Sequence, residues 1–312
     1  MRKILVTALA AAGMATASVA SAETLRLMTG PQGGVWVPLG GALKAIWEKA
    51  LPGVTVQTMP GAGIANVRGV DEGKAEIGFG NTISTVDGYN GLAPFPKKTE
   101  NVCNLATLYP QYFQIVVLAD AGIRSVADLK GRSLAAQTRG NTAEVVTQHV
   151  LQVYGLSYND LKVNFMASYT DAVSLMKDGH AQAFTLGTTI PSGAVMDLAS
   201  ARDIELLSLD DQKIAELRKL NPGYAAVTVP AGTYPKQTKD VQTVGYATHL
   251  IVSCKLPPEQ VRKMLESMVA NLGDLVAVNK AIQGLTPKAM AQDIGVPFHP
   301  GAIAFYKAQG VL

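Results

Sequence analysis

Short apolar segments alternate with longer amphipathic segments along most of the chain. Leu39, Leu43 and Ile46 recur at the spacing of a buried helix face, between two short apolar runs that are typical of strands. The strands predicted in the first part of the chain are 24–28, 54–59, 77–80, 105–109 and 114–118. A β-α-β-α-β order with short connections predicts a parallel sheet that is covered by helices on both faces.

The same order begins again near residue 133, with strands predicted at 133–137, 162–166 and 181–186. Gly33 and Gly140 each stand between a first strand and its helix and are 107 residues apart. Gly73 and Gly179 each follow a second helix and are 106 residues apart. This nearly constant offset indicates two related α/β lobes, each doubly wound.

The remaining sequence does not start a third lobe. A long apolar strand is predicted over 241–253, and helices follow it to the end of the sequence. We therefore expect one lobe to contain 23–115 and 246–312, and the other to contain 116–245. Two lobes that are joined by two crossing segments form a hinged cleft, a geometry suited to closing around a ligand.

The first 22 residues have the pattern of an export signal. Arg2 and Lys3 precede an apolar run, and Ala20-Ser21-Ala22 forms an A-x-A cleavage site, so we expect a periplasmic protein that is cleaved near Ala22. An N-terminal membrane anchor would need about 20 apolar residues, and this run is shorter. Without the signal, 25 basic residues face 24 acidic ones, a balance that creates no long-range field for nucleic acid or an anionic membrane.

Two cysteines, Cys103 and Cys254, are the only ones in the sequence. In an oxidising compartment they can form one disulfide, or they can be two small buried hydrophobic residues, and the sequence leaves both open. There is no C-x-x-C motif, and the four histidines are far apart in the sequence. We predict neither a metal site nor a cofactor.

Candidate ligand-binding residues lie where the predicted strands end and the helices begin. In open α/β sheets ligands bind at these carboxyl ends, where helix N-termini favour an anion. The loops there are rich in Gly, Thr, Asn and Ser, which supply neutral hydrogen bonds and close backbone approach. The candidates are Gly33, Gly34, Trp36, Asn66, Asn81, Thr82, Tyr109, Arg139, Gly140, Asn141, Thr142, Thr188 and Pro191.

Several of these candidates have a second interpretation. Arg139 is the one cation in the loops, and it either pairs with a ligand carboxylate or is a solvated loop arginine. Asn66 and Asn81 can bind a ligand or cap a helix. Trp36 can wall a ligand or belong to the core, and Tyr109, just before Pro110, is expected to expose its phenol to the cleft.

Enzyme motifs are incomplete in this sequence. Residues 61–66 (G-A-G-I-A-N) lack the third glycine of the dinucleotide fingerprint and follow the second strand rather than the first. Ser174 and Lys177 fit S-x-x-K, but the K-T-G motif of penicillin-recognising enzymes is missing, as are G-x-S-x-G and H-E-x-x-H. The sequence therefore favours a binding protein over an enzyme.

Taken together, these loops resemble the TAXI group of extracytoplasmic solute receptors that serve TRAP transporters. The matching stretches are 29–34 (T-G-P-Q-G-G), 38–43 (P-L-G-G-A-L), Asn66, 109–110 (Y-P), 126–131 (V-A-D-L-K-G), 178–179 (D-G) and 229–235 (V-P-A-G-T-Y-P). The resemblance implies a type II periplasmic-binding-protein fold and a monomer that closes on a small organic anion. It also implies delivery of that solute to a TRAP-type membrane permease.

Departures from the family pattern bear on the solute. Where the family often has Thr-Tyr-Tyr, this chain has Val35, Trp36 and Val37, and 81–83 (N-T-I) replaces a Gln-Ser-Asp that carries a carboxylate. The pocket therefore looks more apolar, with fewer partners for an ammonium group. We expect a carboxylate without an amino group, such as a dicarboxylate or a keto acid, rather than glutamate.

Two other functions fit the same sequence. One is a ligand-sensing module that presents its closed form to a membrane sensor kinase. The other is an exported enzyme that acts on a small acid.

Overall fold

The computed structural model describes residues 23–312, and the predicted export signal lies outside these residues. The strands are β1 (Glu23–Met28), β2 (Val54–Met59), β3 (Ile77–Asn81), β4 (Val102–Leu118), β5 (Ser133–Gln137), β6 (Lys162–Met166), β7 (Ala183–Thr188), β8 (Ile204–Leu206), β9 (Ala225–Val229) and β10 (Val241–Ser253). The helices are α1 (Trp36–Ala50), α2 (Gly63–Asp71), α3 (Thr82–Asn90), α4 (Thr142–Val153), α5 (Tyr169–Lys177), α6 (Gly193–Ala201), α7 (Asp211–Leu220), α8 (Pro258–Ala270), α9 (Leu272–Val278), α10 (Pro287–Met290) and α11 (Pro300–Ala308). Short 3-10 turns cover Ala119–Ala121, Val126–Leu129, Tyr158–Asp160 and Lys280–Ile282.

Two parallel β-α-β-α-β units lie in one strand path, in the order β2-β1-β3-β10-β4-β7-β5-β6. In the first unit Leu27 of β1 pairs with Ile77 of β3, and in the second Leu134 of β5 pairs with Ala183 of β7. These equivalent positions show the offset of 107 and 106 residues that the glycines indicate. The α/β class with two doubly wound lobes is therefore confirmed.

The two lobes share β4 and β10, which run antiparallel through both. The two strands predicted at 105–109 and 114–118 are a single strand of 17 residues, since β4 continues through Pro110. Pro110 is exposed and pairs with Ala247, an arrangement that needs no amide hydrogen from the proline. The predicted lobe boundaries, at 115/116 and 245/246, fall inside these two strands and stay a prediction.

One large core lies between the first-lobe sheet and helices α1, α8 and α11. Trp47 is fully buried there, and its indole N–H donates to the carbonyl of Met264 at 3.1 Å. Cys103 and Cys254 form a disulfide at the edge of this core, which settles the alternative that the sequence leaves open. The bond joins β4 to the residue that follows β10.

A buried histidine fastens α3 to both long strands. His249 on β10 lies 2.7 Å from Thr85 Oγ1 through Nε2 and 3.1 Å from Asn104 Oδ1 through Nδ1. Complete burial lowers the pKa of His249 to about 3, so the ring is neutral at ordinary pH.

Candidate functional site

A small cavity lies between the two lobes, above the shared strands β4 and β10. Its volume is about 20 Å³, which is room for about one water molecule. The lining consists of Pro31, Gly34, Val35, Trp36, Gly63, Asn81, Gln111, Asn141, Tyr169, Gly187 and Thr188. None of these residues carries a charge, so the electrostatics of the site come from backbone groups and neutral side chains.

The first-lobe wall is built from three helix N-termini. Helices α1, α2 and α3 begin at Trp36, Gly63 and Thr82, and none of them has a side-chain hydrogen bond at its N-cap. A helix without such a cap leaves its first backbone N–H groups for another partner, and its dipole favours negative charge at that end. Three such ends around one cavity favour an anion.

The floor of the cavity is a polar cluster around Gln111 of β4. Assigned by its hydrogen-bond partners, the Gln111 amide nitrogen donates to the Gly187 carbonyl at 3.1 Å and to Asn81 Oδ1 at 3.3 Å. Its oxygen accepts from Thr248 Oγ1 at 2.5 Å and from the Trp36 indole N–H at 3.3 Å. One amide on a shared strand therefore connects both walls of the site.

Trp36 is both part of the core and part of the site. Its ring is 6% exposed and stacks on Phe79, with centroids 5.4 Å apart and planes 16° from parallel. The indole edge reaches the Gln111 cluster. The two interpretations that the sequence allows are therefore compatible, since one face packs and the polar edge lines the cavity.

Three hydrogen bonds cross from one lobe to the other around the cavity. The Tyr169 amide donates to the Gln32 carbonyl at 2.9 Å, and the Ala65 amide donates to the Gly140 carbonyl at 3.0 Å. The hydroxyls of Ser84 and Thr142 lie 2.9 Å apart. These bonds hold the lobes together and must open if a solute larger than water is to enter.

Glycines permit this close approach. A Cβ on Gly63 would overlap Thr142 Oγ1 of the other lobe and lie 2.8 Å from Asn81 Nδ2. A Cβ on Gly187 would overlap the Tyr246 hydroxyl. Gly33 has φ of +81°, a backbone conformation that favours glycine, and faces Thr170 across the cleft.

Two buried phenols beside the cavity have no hydrogen-bond partner among the described residues. The Tyr246 hydroxyl lies against Gly187, and the Tyr109 hydroxyl lies in the neighbourhood of Trp36 and Thr248. Burial raises the pKa of both phenols, so each is a neutral donor at ordinary pH. The expectation that Tyr109 exposes its phenol is wrong: the side chain is 3% exposed because it packs in the first-lobe core.

The structure brings five of the predicted residues to the cavity: Gly34, Trp36, Asn81, Asn141 and Thr188. Gly33 and Pro191 line an adjoining opening of about 340 Å³ that shares Gly34 and Thr188 with the cavity. Thr82 and Thr142 lie just behind the lining, where Thr82 Oγ1 accepts from the Ala247 amide and Thr142 meets Ser84.

The two candidate asparagine caps behave differently. Asn81 occupies the N-cap position of α3 but makes no side-chain cap bond, so its amide faces the cavity. Asn66 is fully buried inside α2, where Nδ2 donates to the Thr29 and Phe79 carbonyls at 2.7 and 2.9 Å. Its Oδ1 accepts from the Ala62 amide at 3.0 Å, so Asn66 positions the loop and does not line the cavity. Asn141 both lines the cavity and caps α4 through the Ala143 amide.

Arg139 is not brought into the cavity. Its side chain is 68% exposed, its guanidinium lies 5.1 Å from the centroid of Phe165, and Nη1 is 3.6 Å from Glu144 Oε1. Glu144 is buried, which raises the pKa of its carboxyl, and Arg139 is its nearby cation. The guanidinium therefore balances a buried carboxylate of its own lobe. Gly140, beside it, meets Ala65 of the other lobe through its carbonyl.

Sequence reasoning missed four lining residues: Gly63, Gln111, Tyr169 and Gly187. The Tyr169 hydroxyl donates to the Gly187 carbonyl at 3.1 Å, so these two form one wall. The signal available for Gln111 was its place one residue after Tyr109-Pro110, in the predicted crossing segment. The others depend on contacts between residues that are far apart in the sequence.

Two further searches cover residues 23–312. In that part of the chain no group of His, Cys, Asp and Glu is arranged to hold a metal ion. Within the same range, every helix is too short or too polar to cross a membrane.

Comparisons with known proteins agree with this geometry. The model of the NMT1-like family matches residues 27–310. The alkanesulfonate-binding protein SsuA from Xanthomonas axonopodis pv. citri, bound to MOPS, is 17% identical with a TM-score of 0.51, and the match covers 91% of this chain and 83% of that one. PhnD1 from Prochlorococcus marinus, in complex with methylphosphonate, is 13% identical with a TM-score of 0.56 and coverages of 93% and 99%. A putative L-cystine ABC transporter from Listeria monocytogenes is 14% identical with a TM-score of 0.51 and coverages of 84% and 96%. These likenesses show the two-lobed type II periplasmic-binding-protein fold.

Proposed function

Because this chain belongs to the NMT1-like family, we propose that it is an extracytoplasmic solute-binding protein that captures a small organic anion between its lobes and delivers it to a membrane permease. The observation that carries the proposal is the meeting of three uncapped helix N-termini at an interlobe cavity. The cavity is lined by neutral polar groups and lies at the hinge between lobes that hydrogen bonds join. Nothing in this lining acts as a nucleophile beside a base, so binding, not turnover, is what the geometry supports.

The solute class follows from the charges around the cavity. A buried carboxylate is stabilised by several N–H donors and by helix dipoles, without needing a cationic side chain. An ammonium group needs acceptors or a carboxylate, and the lining offers no Asp or Glu. We therefore propose a dicarboxylate or a keto acid as the solute, in preference to a glutamate-like amino acid.

The similar structures bind anions of a related kind by their printed descriptions, a sulfonate buffer and methylphosphonate. They support the anion class but, at under 20% identity, not a particular acid. For this chain, the loss of a carboxylate at 81–83 relative to the TAXI pattern supports the choice of an acid without an amino group.

A thermal-shift panel on the mature protein tests the proposal. It pairs 2-oxoglutarate with glutamate and oxaloacetate with aspartate, since the members of each pair differ at one carbon, where a keto group replaces an amino group, and it uses glucose as a neutral control. A ligand at about 1,000 times its Kd stabilises the fold by about 4 kcal/mol, which is a rise of several degrees in Tm. We expect a rise with a keto acid or a dicarboxylate and no product formed. A larger rise with the amino acid of either pair contradicts the solute class, and no rise with any acid contradicts the anion proposal.

The permease is the second part of the proposal. The residues of the TAXI pattern support a TRAP-type permease that an ion gradient drives, whereas one structural neighbour is described as part of an ABC transporter. Uptake into proteoliposomes that contain the candidate permease and receive the loaded binding protein separates the two. Uptake that needs a sodium gradient supports the TRAP assignment, and uptake that needs internal ATP contradicts it.

A further inference from the structure

A second, larger cavity lies beside the hinge and takes no part in the solute site proposed above. Its volume is about 780 Å³, within the range of small-molecule sites. The first lobe supplies Asp87 and Val86 of α3, the second supplies Asn221 and Val227, and the shared strands supply Pro110 and Ala247.

The cavity lies on the other face of the shared strands from the solute site. Gln111 pairs with Tyr246, and both belong to the face that meets the solute site. Side chains alternate between the two faces along a strand. The neighbouring pair, Pro110 and Ala247, therefore faces away from the solute site and forms the floor of the second cavity.

The polar groups of this cavity are acidic. Asn221 Nδ2 donates to Asp87 Oδ1 and Oδ2 at 3.2 and 3.1 Å, and Asp87 has no ion pair among residues 23–312. Asp293 lines the same cavity, and its carboxylate accepts only from the Gly295 amide within this part of the chain. The lining described here contains no Lys, Arg or His.

Two further observations indicate that the cavity is incomplete without a ligand. Thr107 is 6% exposed, lines the cavity, and its hydroxyl has no partner among the described residues. The carboxyl of Asp87 is desolvated, and burial raises its pKa to about 6. A carboxylate that is removed from water without a cation is costly, and a cationic ligand would relieve that cost.

We propose that this cavity binds a small apolar organic cation, whose ammonium group pairs with Asp87 and whose apolar body lies over the floor formed by Pro110 and Ala247. The apolar lining supplies the burial, and the carboxylates select the sign of the charge. An organic anion is excluded from this cavity, so the two sites take ligands of opposite charge.

Isothermal titration calorimetry at pH 8 tests the proposal with three probes that share one apolar body: 4-phenylbutylammonium, 4-phenylbutanol and 4-phenylbutyrate. We expect the ammonium probe to bind one per chain and at least tenfold more tightly than the alcohol, and the butyrate not to bind this cavity. Asp87→Asn keeps the shape and the acceptor for Asn221, and it should weaken the ammonium probe at least tenfold. Ala289→Trp, at an exposed position of the lining, should block the cavity.

Matched controls are available outside the cavity. Asp211→Asn removes an exposed carboxylate from α7, and Ala201→Trp adds an indole at the exposed end of α6. Neither should change the binding of the ammonium probe. Equal binding of the ammonium and the alcohol, unchanged binding to Asp87→Asn, or no heat with the ammonium probe overturns the proposal. Because the solute site is tested with acids and this cavity with a cation, failure of one does not imply failure of the other.

Discussion

Adding one methyl group at Gly63 should hold the lobes apart. A Cβ at this position overlaps Thr142 Oγ1 of the other lobe, lies 3.2 Å from Thr142 Cβ and lies 2.8 Å from Asn81 Nδ2. Gly63 is the first residue of α2, and its φ is not in the left-handed region, so alanine suits the helix itself. The Gly63→Ala variant should therefore fold normally and close poorly.

The expected size follows from two terms. Relieving the overlap displaces Thr142 and forfeits its 2.9 Å hydrogen bond with Ser84, which costs about 0.5–1.5 kcal/mol. Overpacking strain adds about 1–3 kcal/mol if the lobes still close fully. Together these terms weaken solute binding by about 10- to 1,000-fold, while the Tm of the ligand-free protein stays the same or rises slightly.

Calorimetric titration with the acid that gives the largest thermal shift measures this effect. Gly41→Ala is the matched control, since Gly41 is an exposed helical glycine with nothing within 4 Å of its added Cβ. Thr142→Ala in the Gly63→Ala background removes the overlapping oxygen and should recover part of the affinity, a non-additive result in a double-mutant cycle. Unchanged affinity for Gly63→Ala would refute the reasoning, because it would mean that the bound state does not bring Gly63 and Thr142 together.

Three other perturbations test the remaining arguments. Replacing Cys103 and Cys254 by serine opens a loop of 151 residues and should lower the free energy of unfolding by about 2–5 kcal/mol, as measured by urea denaturation with the reduced wild type for comparison. Arg139→Ala should change solute affinity by less than about tenfold, because the guanidinium lies 68% exposed on Phe165 and Glu144; a loss of 2 kcal/mol or more, about 30-fold, would return Arg139 to the site. His249 has its pKa lowered to about 3, so the unfolded chain takes up a proton that the folded chain refuses as the pH falls from about 6.5 towards 3. At pH 4.5 this should cost about 2.7 kcal/mol relative to pH 7, and His249→Gln should remove that part of the pH dependence of urea denaturation.

Local patterns were enough to predict the two lobes. The strand segments at 54–59, 133–137 and 241–253 agree with the structure because burial alternates or runs continuously over residues that are neighbours in the sequence. The offset between Gly33 and Gly140 worked for the same reason, since each glycine ends a turn within one β-α unit. Pro110 defeated the local argument, because a proline that would break a central strand is tolerated where its missing N–H faces no partner.

The site was predicted only where it is local. Gly34, Trp36, Asn81, Asn141 and Thr188 stand at strand ends or helix starts, and the rule for open α/β sheets finds them. Gly63 and Tyr169 matter because of what approaches them from the other lobe, and no pattern within one segment carries that information. The charge of Arg139 was visible in the sequence, but the direction of its side chain is set by Phe165 and the buried Glu144.

The absence of a cation from the lining changes how selectivity would arise. With Arg139 on the surface, a carboxylate in the cavity is held by N–H donors at the starts of α1, α2 and α3 and by the amides of Asn81 and Gln111. These donors stabilise any small anion to a similar extent, so they do not by themselves distinguish one acid from another. Discrimination against an amino acid comes from the unpaired ammonium, whose desolvation costs several kcal/mol where the lining supplies no carboxylate. The selectivity that we propose is therefore mainly a rejection of positive charge, and it operates only when the lobes are close enough to exclude water from the cavity.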